Sequence, residues 1–174
     1  MIQNRIGCAA DFDDFYHLLE ESFPTDEYRD MEGQRTLLHQ KNYKLYLMKK
    51  ENTLLGAAAV WMFENFVFLE HLAVRSDLRG KGLGTELLLM LRHYHTLPIC
   101  LEVELPETEI AKRRIDFYQR CGFVYNTYEY IQPAFSQKQN PVPLRIMSSG
   151  SPLNESQFYA IKATLYRDVY HVEV

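Results

Sequence analysis

Apolar residues first recur at helical spacing, with Phe12, Phe15, Tyr16, Leu19 and Phe23 along one stripe of an amphipathic segment. Asp11 stands where an N-cap is wanted, Asp14 falls in the first turn, and Pro24 ends the segment. Thr25 to Gln40 is expected as a second helix. The period then changes to that of extended chain. Tyr43 to Lys49 and Thr53 to Phe63 read as strands turning at Glu51-Asn52, and Phe66 to Val74 reads as a third, apolar on both faces. Gly82 to His95 is expected as a helix with Leu83, Leu87, Met90, Leu91 and Tyr94 along one face. Pro98 opens a strand through Leu105, and Pro106 leads into a helix over Glu107 to Arg120 that Gly122 would close. Phe123 to Ile131 and Val142 to Met147 form a final strand pair, and Asn154 to Tyr170 a closing helix capped by Asn154 and Gln157. The order βααβββαβαββα, without repeats or an obvious boundary, implies one α/β layered domain with a mixed sheet.

Composition narrows the class of protein. The chain has 174 residues, 47% hydrophobic and 24% charged, with a formal net charge of −4. Those values fit one folded domain with a real core. Lys49-Lys50 and Lys112-Arg113-Arg114 are the basic runs, each beside acidic residues, so no nucleic-acid-binding face is expected. No apolar run approaches the roughly 18–20 residues of a membrane span, and the N-terminus lacks a signal-peptide core. Cys8, Cys100 and Cys121 have no metal-type spacing, which suggests reduced, mostly buried thiols and a cytoplasmic location. No metal is expected, because His93 and His95 flank Tyr94 at a spacing poor for ligation on a helix.

The most informative stretch runs from the third strand through Arg75-Ser76-Asp77-Leu78-Arg79-Gly80-Lys81-Gly82-Leu83-Gly84-Thr85 into a helix. Three alternate glycines strip Cβ atoms from one side of the turn, so a ligand can approach the backbone closely. The first helix amides and the helix dipole favour an anion there, most naturally a phosphate or pyrophosphate. Arg79 and Lys81 add full charges at the rim. The spacing fits neither a Walker A loop nor the dinucleotide fingerprint.

These residues resemble the GCN5-related N-acetyltransferase (GNAT) superfamily. Arg79-Gly80-Lys81-Gly82-Leu83-Gly84 matches its Q/R-x-x-G-x-G/A signature, after a strand ending His71-Leu72-Ala73-Val74. Phe117-Tyr118-Gln119-Arg120-Cys121-Gly122-Phe123 matches a second motif in the family's order and spacing. The resemblance covers about residues 1–148, leaving about 150–174 as an added C-terminal helix. It implies a mostly antiparallel central sheet flanked by helices, and acetyl-CoA or a related acyl-CoA as donor. Amides of Arg79, Gly80, Lys81, Gly82, Leu83, Gly84 and Thr85 would hold the donor pyrophosphate. The strand backbone through Leu72, Ala73 and Val74 would hold the pantetheine arm and acyl carbonyl. Ala111 stands where many members carry an asparagine that touches pantetheine, so that contact is absent or replaced.

Acyl transfer to an amine needs a neutral nucleophile, a polarised thioester carbonyl and a proton for the leaving thiolate. Tyr118 matches the family tyrosine that reaches the CoA sulfur and is the expected general acid, against the alternative of a packed core ring beside Phe117. Glu70 lies in an otherwise apolar strand, on one face with Leu72 and Val74 by simple alternation, and is the expected general base. Glu102 and Glu104 compete for that role, and a purely structural carboxylate is the other reading of Glu70. Tyr125, Tyr128 and Tyr130 are read as packing residues rather than the lining of an acceptor pocket. The expected activity is direct transfer from acetyl-CoA to a small amine or peptide amine, and a homodimer stays open. The alternatives are a non-catalytic acyl-CoA-sensing or partner-binding module of the same fold, and a nucleotide-phosphate enzyme using the same loop.

Overall fold

The computed structural model describes residues 1–173 and divides into two compact units, Met1–Ile99 and a second from Cys100 onward. In the first unit the elements are β1 (Ile2–Ile6), α1 (Phe12–Ser22), α2 (Met31–Thr36), β2 (Tyr43–Lys50), β3 (Thr53–Met62), β4 (Val67–Val74) and α3 (Leu83–Tyr94). β1 to β4 pair antiparallel in chain order. β3 is buried from Leu54 to Trp61, the unbroken apolar run of a strand covered on both faces. α1 and α3 each pack against β3 and β4.

The second unit holds β5 (Ile99–Glu104), α4 (Glu109–Arg120), β6 (Phe123–Tyr125), β7 (Tyr130–Gln132), β8 (Val142–Ser149) and α5 (Glu155–Thr164). β8 is its hub, pairing antiparallel with β5, β6 and β7. The chain is therefore a mixed α/β structure with a mostly antiparallel sheet flanked by helices, as expected. Asn154 accepts from the Gln157 amide at 2.9 Å and Gln157 answers on the Asn154 amide at 2.9 Å, the capping box foreseen for the last helix. Gly122 takes φ +83 directly after α4, the position for which glycine is suited.

Four expectations need correction. The second helix is not continuous over Thr25 to Gln40: a 3-10 turn at Thr25–Glu27 gives way to extended chain, and Asp30 caps a separate short helix by accepting from Gly33 N at 2.8 Å. The strand expected over Phe123 to Ile131 breaks at Asn126, whose buried amide bonds to Ile146 O (3.0 Å) and Ser148 Oγ (3.1 Å) and accepts from Leu153 N (2.8 Å). Asn126 N also donates to Ile146 O at 3.1 Å, and these bonds together hold the chain where the regular ladder ends. Asp11 stands at the N-cap of α1 as expected but its side chain makes no cap bond; it is buried and bonded to Arg5, Lys49 and Cys8 N. Of the cysteines only Cys100 is buried, and burial raises its thiol pKa to about 12. Among the described residues no helix is long and apolar enough to cross a membrane.

Candidate active site

The glycine turn is built as its residue types demand. A 3-10 turn at Ser76–Leu78 follows β4, and Arg79 Nε then donates to Val74 O at 3.2 Å, tying the rim of the loop to the strand end. Gly80 and Gly82 take φ +77 and +84, left-handed conformations that side-chain-bearing residues rarely adopt. A Cβ on either glycine would meet no atom within 4 Å, so that side of the backbone is open. Gly82 is the N-cap of α3, and the helical ladder begins with Glu86 N donating to Gly82 O at 3.1 Å. The amides of Leu83, Gly84 and Thr85 therefore precede the first helical bond, at the positive end of the dipole. Arg79, Lys81 and Thr85 are exposed, whereas Arg75 is tied to Asp77 in a bidentate pair. This arrangement suits a phosphorylated ligand. Val74 O is already engaged by Arg79, which limits what that carbonyl offers to a pantetheine arm.

Glu70 stands out in β4. The β3–β4 register runs Ala59↔His71 and then Val60↔Leu69, so Glu70 is the extra residue of a β-bulge. Bulges re-aim side chains. In regular alternation Glu70 would share a face with Leu72 and His71 would oppose it. Instead the Glu70 and His71 side chains are both 2% exposed and both meet the connection between α1 and α2. Arg29 Nη1 donates to Glu70 Oε1 at 2.7 Å, and His71 Nε2 lies 2.9 Å from Glu27 O. Arg29 sits over the Trp61 ring at 5.8 Å, Trp61 meets Tyr43 edge-on, and Tyr43 OH accepts from Gln34 Nε2 at 3.0 Å. Along this chain of contacts Gln34 Oε1, Trp61 Nε1, Glu70 Oε2 and His71 Nδ1 are buried without a hydrogen-bond partner. Native proteins leave few such atoms outside functional sites.

In the second unit Tyr118 is buried on α4 against Phe117 and Phe123, with ring centroids 5.1 and 5.6 Å away. Burial, partly opposed by Arg114, raises its phenol pKa to about 12, so it is protonated at neutral pH. Ala111 is buried in the first turn of α4, where Thr108 Oγ accepts from its amide at 3.1 Å. The rival carboxylates are occupied. Glu102 accepts from Tyr130 and Tyr170, the latter at 2.8 and 2.7 Å to its two oxygens, and Glu104 pairs with Arg114 at 3.4 Å. Tyr128 stacks on Phe158, so it and Tyr130 are packing residues, as read from their pattern.

Sequence reasoning missed Arg29, the Glu27 carbonyl and His71. Arg29 lay inside a stretch expected to be helical, and His71 counted only as part of the strand motif. The one available signal was the adjacency of two ionisable residues, Glu70 and His71, in an apolar strand.

The fold and the glycine turn fit an acyltransferase class, and comparison with known proteins agrees. The profile of the Acetyltransferase (GNAT) family matches residues 12–123. YjbC of Bacillus subtilis (strain 168), assigned by name to the acetyltransferases, is 32% identical over 111 residues. That match covers 63% of this chain and 56% of the relative's length. A solved GNAT-family structure from Bacteroides thetaiotaomicron is 32% identical, covers 98% of this chain and 99% of its own, and superposes with a TM-score of 0.88. A GNAT acetyltransferase from Elizabethkingia anophelis, solved with acetyl-CoA bound, shares the fold at 16% identity and a TM-score of 0.61, covering 86% of this chain and 98% of its own. The chain belongs to the GNAT acetyltransferase family.

Proposed function

We propose that residues 1–174 work as one acyltransferase domain that moves the acetyl group of acetyl-CoA directly to a primary amine, on a small molecule or a peptide. The observation that carries this reading is the pair of left-handed glycines, Gly80 and Gly82, opening α3 straight after β4. Backbone amides from Arg79 to Thr85 would hold the pyrophosphate, with Arg79 and Lys81 adding charge. The backbone from Leu72 to Val74 would hold the pantetheine arm.

In the reaction the amine lone pair attacks the thioester carbon, the new C–N bond forms and the C–S bond breaks. Glu70 is the proposed base and Tyr118 the proposed acid. A phenol with a pKa of about 12 is a weaker acid than an ordinary thiol, about 8.5. Tyr118 would therefore donate a hydrogen bond to the sulfur as charge develops there, and release its proton only as the bond breaks. Glu102 is less suited to base catalysis because two phenols already hold its oxygens.

Thermal denaturation with candidate ligands tests the donor assignment. Acetyl-CoA or CoA should stabilise the fold, with ATP and NAD doing much less. A ligand at 100 Kd adds about 2.7 kcal/mol, which for a chain of this size is a rise in Tm of about 5–10 °C. A midpoint moved by ATP but not by acetyl-CoA would overturn the reading in favour of a nucleotide enzyme. Acetyl-CoA stabilisation without acetylated product from any amine would leave a sensing module instead.

A further inference from the structure

We propose that His71 and Glu70 form a single proton-accepting pair, in which His71 Nδ1 and Glu70 Oε2 together take the proton released by the attacking amine. This deepens the acyltransferase reading and rests on it.

His71 Nε2 lies 2.9 Å from the Glu27 carbonyl, and a carbonyl only accepts, so Nε2 carries the hydrogen. In the neutral ring Nδ1 is then a bare lone pair. It faces Glu70 Oε2 at 3.6 Å, too far for a direct hydrogen bond, and neither atom has another partner. Two acceptors buried face to face have an unmet demand for one proton. A proton in this gap converts the repulsion into a charge-assisted N–H···O bond, which needs an approach of under about 1 Å to reach ordinary length.

The surroundings favour this state over ionisation elsewhere. Arg29 Nη1 donates to Glu70 Oε1, which leaves Oε2 as the oxygen that faces the ring. The ring also meets the Phe23 ring, edge-on at 4.9 Å, and the Glu27 carbonyl, and it feels the Arg29 charge; Tyr43 from β2 feels both Glu70 and Arg29. Burial pushes the His71 pKa below its usual value, while Glu70 and the Glu27 carbonyl push it up and Arg29 pushes it down. The net shift is downward, and the neutral ring offers Nδ1 as the accepting lone pair. The bulge at Glu70 is what makes the pair, since regular alternation would have put the two side chains on opposite faces.

In the reaction the amine nitrogen bonds to the acyl carbon and sheds its proton to the Nδ1–Oε2 gap, directly or through one water. The result is an imidazolium bonded to a carboxylate. The thiolate takes its proton from the proposed acid, Tyr118, and the proton held by the pair passes to solvent while solvent returns one to the Tyr118 phenolate, so both groups are restored.

The closing experiment combines a spectrum with a pH profile. Long-range 1H–15N correlation on the wild-type protein should show His71 as the Nε2–H tautomer, and Glu70→Gln should lower its pKa further. His71→Gln keeps a donor near Glu27 O and removes the basic lone pair. It should lower kcat/KM for a primary amine by about 10–1000-fold near neutral pH. The deficit should shrink as rising pH lets hydroxide take the proton in the pair's place, with KM for acetyl-CoA held within about twofold. A spectrum with Nδ1 protonated, a titration indifferent to Glu70→Gln, or a His71→Gln variant with the wild-type acid limb would each overturn the pair. If the wild-type protein binds acetyl-CoA but acetylates no amine, the acyltransferase reading fails, and the spectrum alone decides whether the pair exists.

Discussion

Arg29 Nη1 stands 2.7 Å from Glu70 Oε1, and their side chains are 11% and 2% exposed. The charge that Glu70 brings into the apolar strand is thus balanced by a residue 41 positions earlier in the chain. Removing one partner of a buried ion pair leaves an uncompensated charge and costs about 3–5 kcal/mol. Arg29→Met should lower unfolding stability by that order in a urea titration. Arg29→Met combined with Glu70→Gln should recover part of the loss, because no charge then stays buried alone. A double variant less stable than Arg29→Met would show that the pair is not the source of the cost.

Gly82→Val should weaken CoA binding by about 10–100-fold, or about 1.4–2.8 kcal/mol, while leaving the circular dichroism native. The branched side chain would stand on the open side of the turn, at φ +84 where it is strained. Gly82→Ala separates these effects, since it carries most of the backbone strain with less bulk. Native affinity in a folded Gly82→Val protein would remove the turn from the donor site.

Tyr118→Phe should lower kcat by about 10–1000-fold and leave KM for acetyl-CoA nearly unchanged. With a phenol pKa of about 12, no alkaline limb from Tyr118 is expected at or below about pH 10. Equal rates for wild type and variant across the pH range would make Tyr118 a packing residue.

Stability should fall with acid in two separable steps. The His71 pKa is lowered in the folded protein, so the unfolded chain binds more protons as pH drops below its ordinary value of 6.5. Stability from this group is complete above that pH and declines below it. Asp11 is also lowered: burial alone would raise it, but Arg5, the Cys8 amide and Lys49 outweigh that effect. Its contribution is present above 3.8 and is lost as pH falls further. Chemical denaturation at a series of pH values should show His71→Gln flattening the first decline and Asp11→Asn the second. A single unchanged decline in both variants would contradict the assignment.

Much of this protein was legible in its chain because the deciding interactions are local. Helical and extended periods located α1, α3, α4 and β2 to β4, since burial of one stripe or of both faces sets the period directly. The glycines at 80 and 82 announced their own backbone conformation, and the capping box at Asn154 and Gln157 needs residues only three apart. Tertiary structure decided the rest. Asp11 stands at the cap position, but Arg5 and Lys49, brought beside it by β1 and β2, make its side chain a buried ion-pair centre. The break at Asn126 depends on β8 and on Leu153, both distant in sequence. Above all, Glu70 and His71 alternate on paper, and only the register of β4 against β3 inserts the bulge that turns them together. A bulge is a property of two paired strands, and an ion pair spanning 41 positions is a property of the folded chain. Neither leaves a periodic trace in the sequence of one strand, which is why the glycine turn could be read directly and the pairing of Glu70 with His71 could not.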